Sequence, residues 1–260
     1  MKTKLAITAL CLLPLASQTA FAEEAKDASE LTMSAELGFL FKSGNTKSGD
    51  IKAGFNVKHK KNQWTNLLAV NALAKKLEEK DDDTGDKEFV TTDNKWDLKT
   101  QTNYALHENG KNYLYANLGY QQDKFSGFES QSSLSMGWGR HWIDTETSSL
   151  FADIGPGVKY DVIRQTDTQP KNEETNFIVQ AQALYTTKIN EFVEFKQYLV
   201  AKQTFESGKN SVYQSETSIT TKLIESMQLK FALRIDYDTE VEPEFENTNT
   251  ETSLTLVYNF

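Results

Sequence analysis

Apolar residues at every second position recur along most of this sequence. The stretch at residues 250–260 alternates in this way, with Thr252, Leu254, Leu256, Tyr258 and Phe260 on one parity. Polar residues occupy the other parity, and Val257 is the one apolar exception. Strict period-2 alternation predicts a β-strand with one apolar face and one polar face. A chain built from such strands folds as a sheet whose two sides meet different surroundings.

Eleven similar segments precede this one from residue 31 onward, so the full set numbers twelve. Connections after the even-numbered segments are tight, and several of those after odd-numbered segments are longer and more charged, residues 75–93 most of all. Short turns at one end and long loops at the other are typical of outer-membrane β-barrels, whereas a soluble β-sandwich has no reason to alternate. We therefore expect an all-β fold, a transmembrane antiparallel up-and-down β-barrel of about twelve strands at residues 31–260. The last strand must then pair with the first.

The N-terminus has the features of a secretory signal peptide. Lys2 and Lys4 precede a short apolar run, and residues 20–22 (Ala-Phe-Ala) offer a small-x-small cleavage pattern. We expect cleavage after Ala22, with residues 23–30 as a short periplasmic segment before the barrel. Cys11 lies in the removed part, so the mature chain has no disulfide framework. Together with the strand pattern, this predicts export to the outer membrane of a Gram-negative bacterium.

Charge and hydropathy narrow the function classes. The 28 basic residues fall to 26 once Lys2 and Lys4 are removed, against 37 acidic ones, which gives a formal net charge of −11. This balance argues against nucleic acid as a partner, because binding of its phosphates requires basic patches. The mean hydropathy of −0.57 does not argue against a membrane barrel, since only alternate residues face lipid.

Aromatic residues near segment ends fit the girdle that barrels place at membrane interfaces: Trp64, Trp142, Tyr185, Tyr237, Tyr258 and Phe260. One residue disagrees with the strand pattern. Pro156 falls in the middle of the seventh segment, where a closed barrel has no free edge to accommodate its missing donor. With Gly155 and Gly157 beside it, we expect a bulge or bend at this point.

Four short motifs carry a family resemblance. They are Ser-Gly-Asn-Thr at residues 43–46, Asp-Lys-Phe-Ser-Gly at 123–127, Gly-Trp-Gly at 137–139 and Gly-Pro-Gly at 155–157. In order and spacing they span most of the chain, which resembles the YdiY-like family of salt-induced outer-membrane proteins, a domain of unknown function. The resemblance implies an outer-membrane barrel that responds to salt or acid stress. It implies no established substrate and no catalytic residues.

The inward parity collects charged residues of both signs. The candidate lumen-lining residues are Asp97, Lys99, Asp153, Lys159, Asp161, Glu194, Lys196, Lys202, Glu216, Lys222, Lys230, Arg234 and Asp236. A ring of one sign would indicate ion selectivity. A mixed set fits a polar channel and equally fits salt bridges that plug the barrel. Twelve strands lie between the small packed barrels and the wide porins, so size permits a narrow pore without requiring one.

Enzymatic and metal-binding functions find little support. A hydrolase needs a nucleophile or activated water near a base, and the three histidines, His59, His107 and His141, fall beside tight turns where a solvated histidine is ordinary. The acidic run at residues 81–88 only loosely resembles a calcium loop and is better explained as a solvated loop. We therefore expect no catalytic residues, no metal and no cofactor.

We interpret the chain as a narrow passive channel or a structural, stress-related envelope protein. The alternatives are an outer-membrane enzyme acting on lipid or peptide, and a surface adhesion barrel that works through residues 75–93. Expected partners are outer-membrane lipid, lipopolysaccharide and the barrel-assembly machinery, which reads Tyr258 and Phe260 as an assembly signal. The sequence identifies no solute.

Overall fold

The computed structural model describes residues 29–43, 48–80, 87–107, 110–123, 127–165, 171–241 and 245–260. The predicted signal peptide, its cleavage site and most of residues 23–30 lie outside the described residues. So do residues 81–86, the centre of the acidic loop.

Twelve strands form, one for each predicted segment. They are β1 (Ser29–Ser43), β2 (Ser48–Lys61), β3 (Trp64–Lys80), β4 (Lys87–Ala105), β5 (Asn112–Asp123), β6 (Phe128–Asp144), β7 (Ser148–Ile163), β8 (Asn172–Lys188), β9 (Val193–Thr204), β10 (Val212–Lys222), β11 (Met227–Asp238) and β12 (Thr248–Asn259).

The strands make one closed antiparallel barrel in which each pairs with its neighbours in the sequence. Closure comes from β1 and β12, which pair over ten residues from Ser34↔Asn259 to Ser43↔Thr250. The predicted twelve-stranded up-and-down barrel and the pairing of its last strand with its first are therefore confirmed. A closed sheet leaves no edge with unpaired backbone groups, which is the condition for a sheet to sit in lipid.

The two ends of the barrel differ. The end that carries both chain termini has short connections, such as the two residues between Lys61 and Trp64 and the three between Asp144 and Ser148; we call it the turn end. The opposite end, the loop end, carries the longest connection, between Asp238 and Thr248. Asn62 adopts a positive φ of 54°, which lets the chain reverse tightly at the turn end.

The predicted extent of the long charged loop, residues 75–93, was wrong. β3 continues to Lys80 and β4 begins at Lys87, so the two strands pair through most of this stretch, with a register shift between Lys75 and Lys76. Backbone hydrogen bonds can hold such a hairpin together where the sequence has no regular alternation of apolar residues. A pattern of apolar residues therefore could not reveal it.

The barrel is polar inside and apolar outside. Phe39 and Phe177 are 64% and 77% exposed on the outer surface, whereas the side chains of Lys159 and Asp161 are almost completely buried in the interior. This reverses the arrangement of a soluble protein and matches a barrel surrounded by lipid. Within the described residues, no helix is long and apolar enough to cross a membrane.

The bulge predicted at Pro156 is absent. The pairs Ser135↔Gly157 and Trp138↔Ile154 share one register, and the two irregularities of the β6–β7 pair lie nearer the strand ends. Glycine explains the unbroken register. A Cβ on Gly155 would lie 2.0 Å from the Met136 carbonyl oxygen, so the backbones approach more closely than any other residue allows. Pro156 therefore lies in a strand of unbroken register and pairs with Val179 of β8.

Candidate functional site: the polar lumen

Contacts between strands that are not neighbours must cross the interior of a closed barrel, and several do. Lys95 of β4 donates a hydrogen bond of 2.7 Å to Glu251 of β12. Lys99 of β4 donates to Gln214 of β10 at 3.2 Å, while Lys202 of β9 donates to Ser133 of β6 at 2.9 Å. These side chains therefore lie in the lumen and span it.

An ion-pair cluster occupies the lumen where β4, β11 and β12 face one another. The Lys95 ammonium lies 2.7 Å from Glu251 and 3.1 Å from Asp123. Arg234 pairs with Asp236 at 2.9 Å and lies 4.0 Å from Asp97. Buried charges are tolerated only when opposite charges and hydrogen bonds compensate for the lost water, and this cluster provides both.

A second, mostly uncharged network fills the middle of the lumen around Asp153. One oxygen of Asp153 (Oδ2) accepts hydrogen bonds from Gln182 (2.9 Å), Tyr113 (3.2 Å) and Gln101 (3.3 Å). Gln182 also donates to Gln101 at 2.6 Å and accepts from the Tyr198 hydroxyl at 2.8 Å. Five strands, β4, β5, β7, β8 and β9, are thereby joined through side chains.

A glycine on the inner face of β6 makes room for this network. A Cβ on Gly139 would lie 2.3 Å from the Tyr113 ring, so the ring occupies the volume that the glycine leaves free.

Two further ion-pair sites lie in the lumen. Lys159 and Asp161 form a buried ion pair farther along β7. Toward the turn end, Lys230 lies 3.3 Å from Glu216 and 3.7 Å from Glu36, which links β11 to β10 and β1.

Three polar cavities follow one another along the lumen. The first has a volume of about 540 Å³ and opens among Lys60, Asn62 and Asp144 at the turn end. The second, of about 550 Å³, shares Lys58, Leu67, Phe151 and Leu184 with the first and fills the middle of the barrel. The third lies toward the loop end and measures about 70 Å³. The free volume of the lumen is therefore smaller toward the loop end than toward the turn end.

Five residues line both the second and the third cavity and so define the constriction between them: Lys99, Asn117, Gln182, Tyr198 and Arg234. Two are cations and three are neutral. Arg234 is paired with carboxylates, whereas the hydrogen bond of Lys99 goes to the neutral amide of Gln214. The constriction thus carries positive charge of its own, with acidic side chains nearby.

The thirteen candidate lumen residues fall in different parts of the barrel. The three cavities and the ion pairs beside them bring together Asp97, Lys99, Asp153, Lys159, Asp161, Lys196, Lys202, Glu216, Lys230, Arg234 and Asp236. Glu194 pairs with Lys196 at 2.9 Å near the turn end, where both are partly exposed. Lys222 is exposed at the last position of β10. Whether a solute meets these residues remains a prediction.

The thirteen candidates, all of them charged, left out several residues that line the lumen. The constriction residues Asn117, Gln182 and Tyr198 carry no charge, and neither does Tyr113. The charged group Lys95, Asp123 and Glu251 was also missed, although each lies on the inward parity. Parity alone, applied to polar residues of every type, would have found both sets.

The three histidines do not meet. His59 Nε2 lies 3.0 Å from Ser29 Oγ at the turn end of β1 and β2, and His141 packs its ring against Tyr113 and Phe151. His107 is exposed in the β4–β5 connection. Among the described residues, no group of three or more histidine or acidic side chains is arranged to hold a metal ion.

Comparison with known proteins agrees with this fold. The chain is 24% identical over 226 residues to the uncharacterized protein YdiY of Escherichia coli (strain K12), which covers 85% of this chain and 80% of that protein. Among solved structures, the NanC porin aligns with 12% identity and a TM-score of 0.53 over 86% of this chain and 98% of that one. The KdgM porin aligns with 8% identity and a TM-score of 0.45, over 87% and 99%.

At this level of identity, the likeness to NanC shows the fold alone: a β-barrel of the outer-membrane type. The family description is more direct, because it covers residues 35–260 and therefore nearly all of the barrel. The chain belongs to the family described as "Protein of unknown function, DUF481".

Proposed function

We propose that this protein is a narrow passive channel of the outer membrane for small inorganic ions. The observation that supports the proposal is the row of three adjoining polar cavities, each sharing lining residues with the next. A barrel that served only as a wall would gain stability by filling this space with packed side chains. In this barrel the lumen instead keeps three open cavities, and polar side chains form much of their lining.

The size of the narrowest cavity sets the class of solute. A volume of about 70 Å³ holds roughly five water molecules. That volume suits an inorganic ion with part of its hydration shell better than a sugar or a peptide. The ammonium of Lys99 donates to a neutral amide and would attract anions, while the carboxylates of Asp97 and Asp236 in the same cavity oppose this preference.

Single-channel recording in planar bilayers tests the proposal. The refolded protein should give small, steady conductance steps in potassium chloride. Tyr198→Ala should raise the step size roughly twofold or more, because it removes one of the five side chains of the constriction. Tyr213→Ala is the matched control, since Tyr213 belongs to the outward row of β10 and should leave the conductance unchanged.

The competing candidate is a structural or stress-related envelope barrel with a closed lumen. The observation that favours it is the set of side-chain contacts that cross the lumen, such as Lys95–Glu251. Absence of conductance steps from folded wild-type protein and from folded Tyr198→Ala would establish this alternative and exclude the channel. Folding is verified in both cases by the shift in gel mobility on heating.

We propose no catalytic role for the histidines. His59 and Ser29 form a surface pair on the outward rows of β1 and β2, outside the polar lumen. Phospholipase, acyltransferase and protease assays on refolded wild-type protein should show no activity. Activity that disappears in His59→Ala, but not in His107→Ala, would instead support an enzyme at that pair.

Membrane placement and assembly are also part of the proposal. The exposed apolar outer face fits insertion among outer-membrane lipids, with lipopolysaccharide against the loop end. Tyr258 and Phe260 pack edge to face with ring centroids 4.9 Å apart at the end of β12, in the position expected for recognition by the barrel-assembly machinery. Secretion through a signal peptide at residues 1–22 completes the route.

A further inference from the structure

The outer wall carries a groove that none of the lumen features explains. It has a volume of about 590 Å³, and its floor consists of small residues on adjacent strands: Ala152, Ala181, Ala183, Ala201 and Ser215. Aromatic rings bound it, with Trp138 and Trp142 at one end and Tyr213 and Tyr237 at the other. Small residues beside large ones make a depression in a wall that is otherwise covered with bulky side chains.

The groove is long enough for one acyl chain. It crosses from β6 to β11, which is five strand spacings of about 4.8 Å, or roughly 24 Å. The strands of such a barrel tilt by about 45°, so a line across five of them rises by roughly 17 Å along the membrane normal, which is comparable with the roughly 15 Å that the chains of one leaflet span. The lining is almost entirely apolar, so the site suits a hydrocarbon chain.

A cation lies next to the end of the groove that carries the tryptophans. Arg140 continues the outward row of Met136 and Trp138, and its register partner Ala152 belongs to the groove floor. Its guanidinium lies 5.1 Å from the centroid of the Trp142 ring. Within the described residues, its Nε is buried and has no hydrogen-bond partner.

An anion would satisfy the free Nε of such a guanidinium on a lipid-facing row. An unpaired cation near hydrocarbon is costly, whereas arginine binds phosphate through two parallel hydrogen bonds. Arg140 lies four residues from the last residue of β6 at the turn end, the end that faces the periplasm in outer-membrane barrels. The anion at that level is the phosphodiester of an inner-leaflet phospholipid.

We propose that the wall from β6 to β11 holds one glycerophospholipid, with its phosphodiester on Arg140 and one acyl chain in the alanine-floored groove. Trp142 stacks under the guanidinium and keeps it directed at the headgroup. The site is independent of conduction through the lumen. Phosphatidylglycerol and phosphatidylethanolamine share this phosphodiester, and comparison of the two separates recognition of the phosphate from recognition of net lipid charge.

Native mass spectrometry of the refolded full barrel in detergent, with added phosphatidylglycerol or phosphatidylethanolamine, tests the site. The wild type should retain one phospholipid per chain. Arg140→Gln should lower retention about tenfold, as expected for loss of a charge-assisted phosphate contact. Lys188→Gln, which removes another cation at the turn end, should retain lipid as the wild type does.

A second variant tests the groove while leaving Arg140 in place. Ala183→Phe fills the floor and should abolish retention, whereas Ala53→Phe on the outward row of β2 should not. Lipid retention by Arg140→Gln equal to that of the wild type would overturn the proposal, even if Ala183→Phe failed to fold. A mass corresponding to two chains without lipid would overturn it as well and would assign the groove to a second copy of the barrel.

Discussion

The Lys95 ammonium lies 2.7 Å from the Glu251 carboxylate across the lumen and thereby ties β4 to the closing strand β12. Asp123 of β5 completes the site at 3.1 Å. The three side chains are nearly fully buried, so water cannot replace a missing partner. This contact lies in the lumen and also holds β12, the strand that closes the barrel against β1, in position.

Replacement of Lys95 by Met should destabilise the barrel by about 3–5 kcal/mol, because it removes a buried cation that lies between two carboxylates. Unfolding in urea, followed by tryptophan fluorescence in detergent micelles, measures the change. Lys171→Met is the control, since the pair of Lys171 with Glu129 is exposed and its loss should leave the midpoint unchanged. Equal midpoints for Lys95→Met and the wild type would contradict the assigned role of the contact.

Leu256 tests the lipid-facing assignment of β12. Its side chain is exposed on the outward row, and it pairs with Leu37 of β1 and Leu229 of β11. A carboxylate there should cost on the order of 2 kcal/mol in the membrane and impair assembly at the seam. Outer-membrane fractionation of cells that produce Leu256→Asp measures this. Thr248→Asp, at the exposed start of β12, is the control, and normal insertion of both variants would refute the assignment.

Gly155 tests the close approach of β6 and β7. A methyl group at this position would meet the Met136 carbonyl oxygen, a backbone atom that cannot move without displacing the strand. We expect Gly155→Ala to destabilise the barrel by about 1–3 kcal/mol. Gly119→Ala is the matched control, because its nearest neighbour is a side-chain atom, the Ser133 hydroxyl at 3.0 Å, and a small shift of that side chain relieves the contact. A heat-induced gel-shift series compares the two, and similar midpoints would contradict the steric explanation.

Much of the wall could be predicted from sequence because each strand obeys the same rule: Leu254 and Leu256 must face lipid, so their neighbours must face inward. The rule failed where no apolar row marks the strand, as in the β3–β4 extension to Lys80 and Lys87. It also failed at Pro156, because the close approach of Gly155 to β6 depends on a partner strand. The constriction could not be predicted for the same reason. The way the barrel closes decides which inward-facing residues come into contact.

Asp153 makes the most specific prediction for the lumen. One of its oxygens accepts three hydrogen bonds, and its other oxygen, Oδ1, is buried without a partner in the described part of the chain. In Asp153→Asn, the amide oxygen can keep the three donors while the amide nitrogen takes the free position, so we expect little change in stability. In Asp153→Leu the donors of Gln101, Tyr113 and Gln182 lose their acceptor, which should cost at least about 1–3 kcal/mol.

Urea unfolding of the two Asp153 variants in the same micelles provides the measurement. The expected order is wild type close to Asp153→Asn, with Asp153→Leu well below both. A midpoint for Asp153→Asn as low as that for Asp153→Leu would mean that the negative charge, and not the hydrogen-bond geometry, holds the centre of the lumen together. The conductance of Asp153→Asn gives a separate measure of that charge, because Asp153 contacts the constriction residue Gln182.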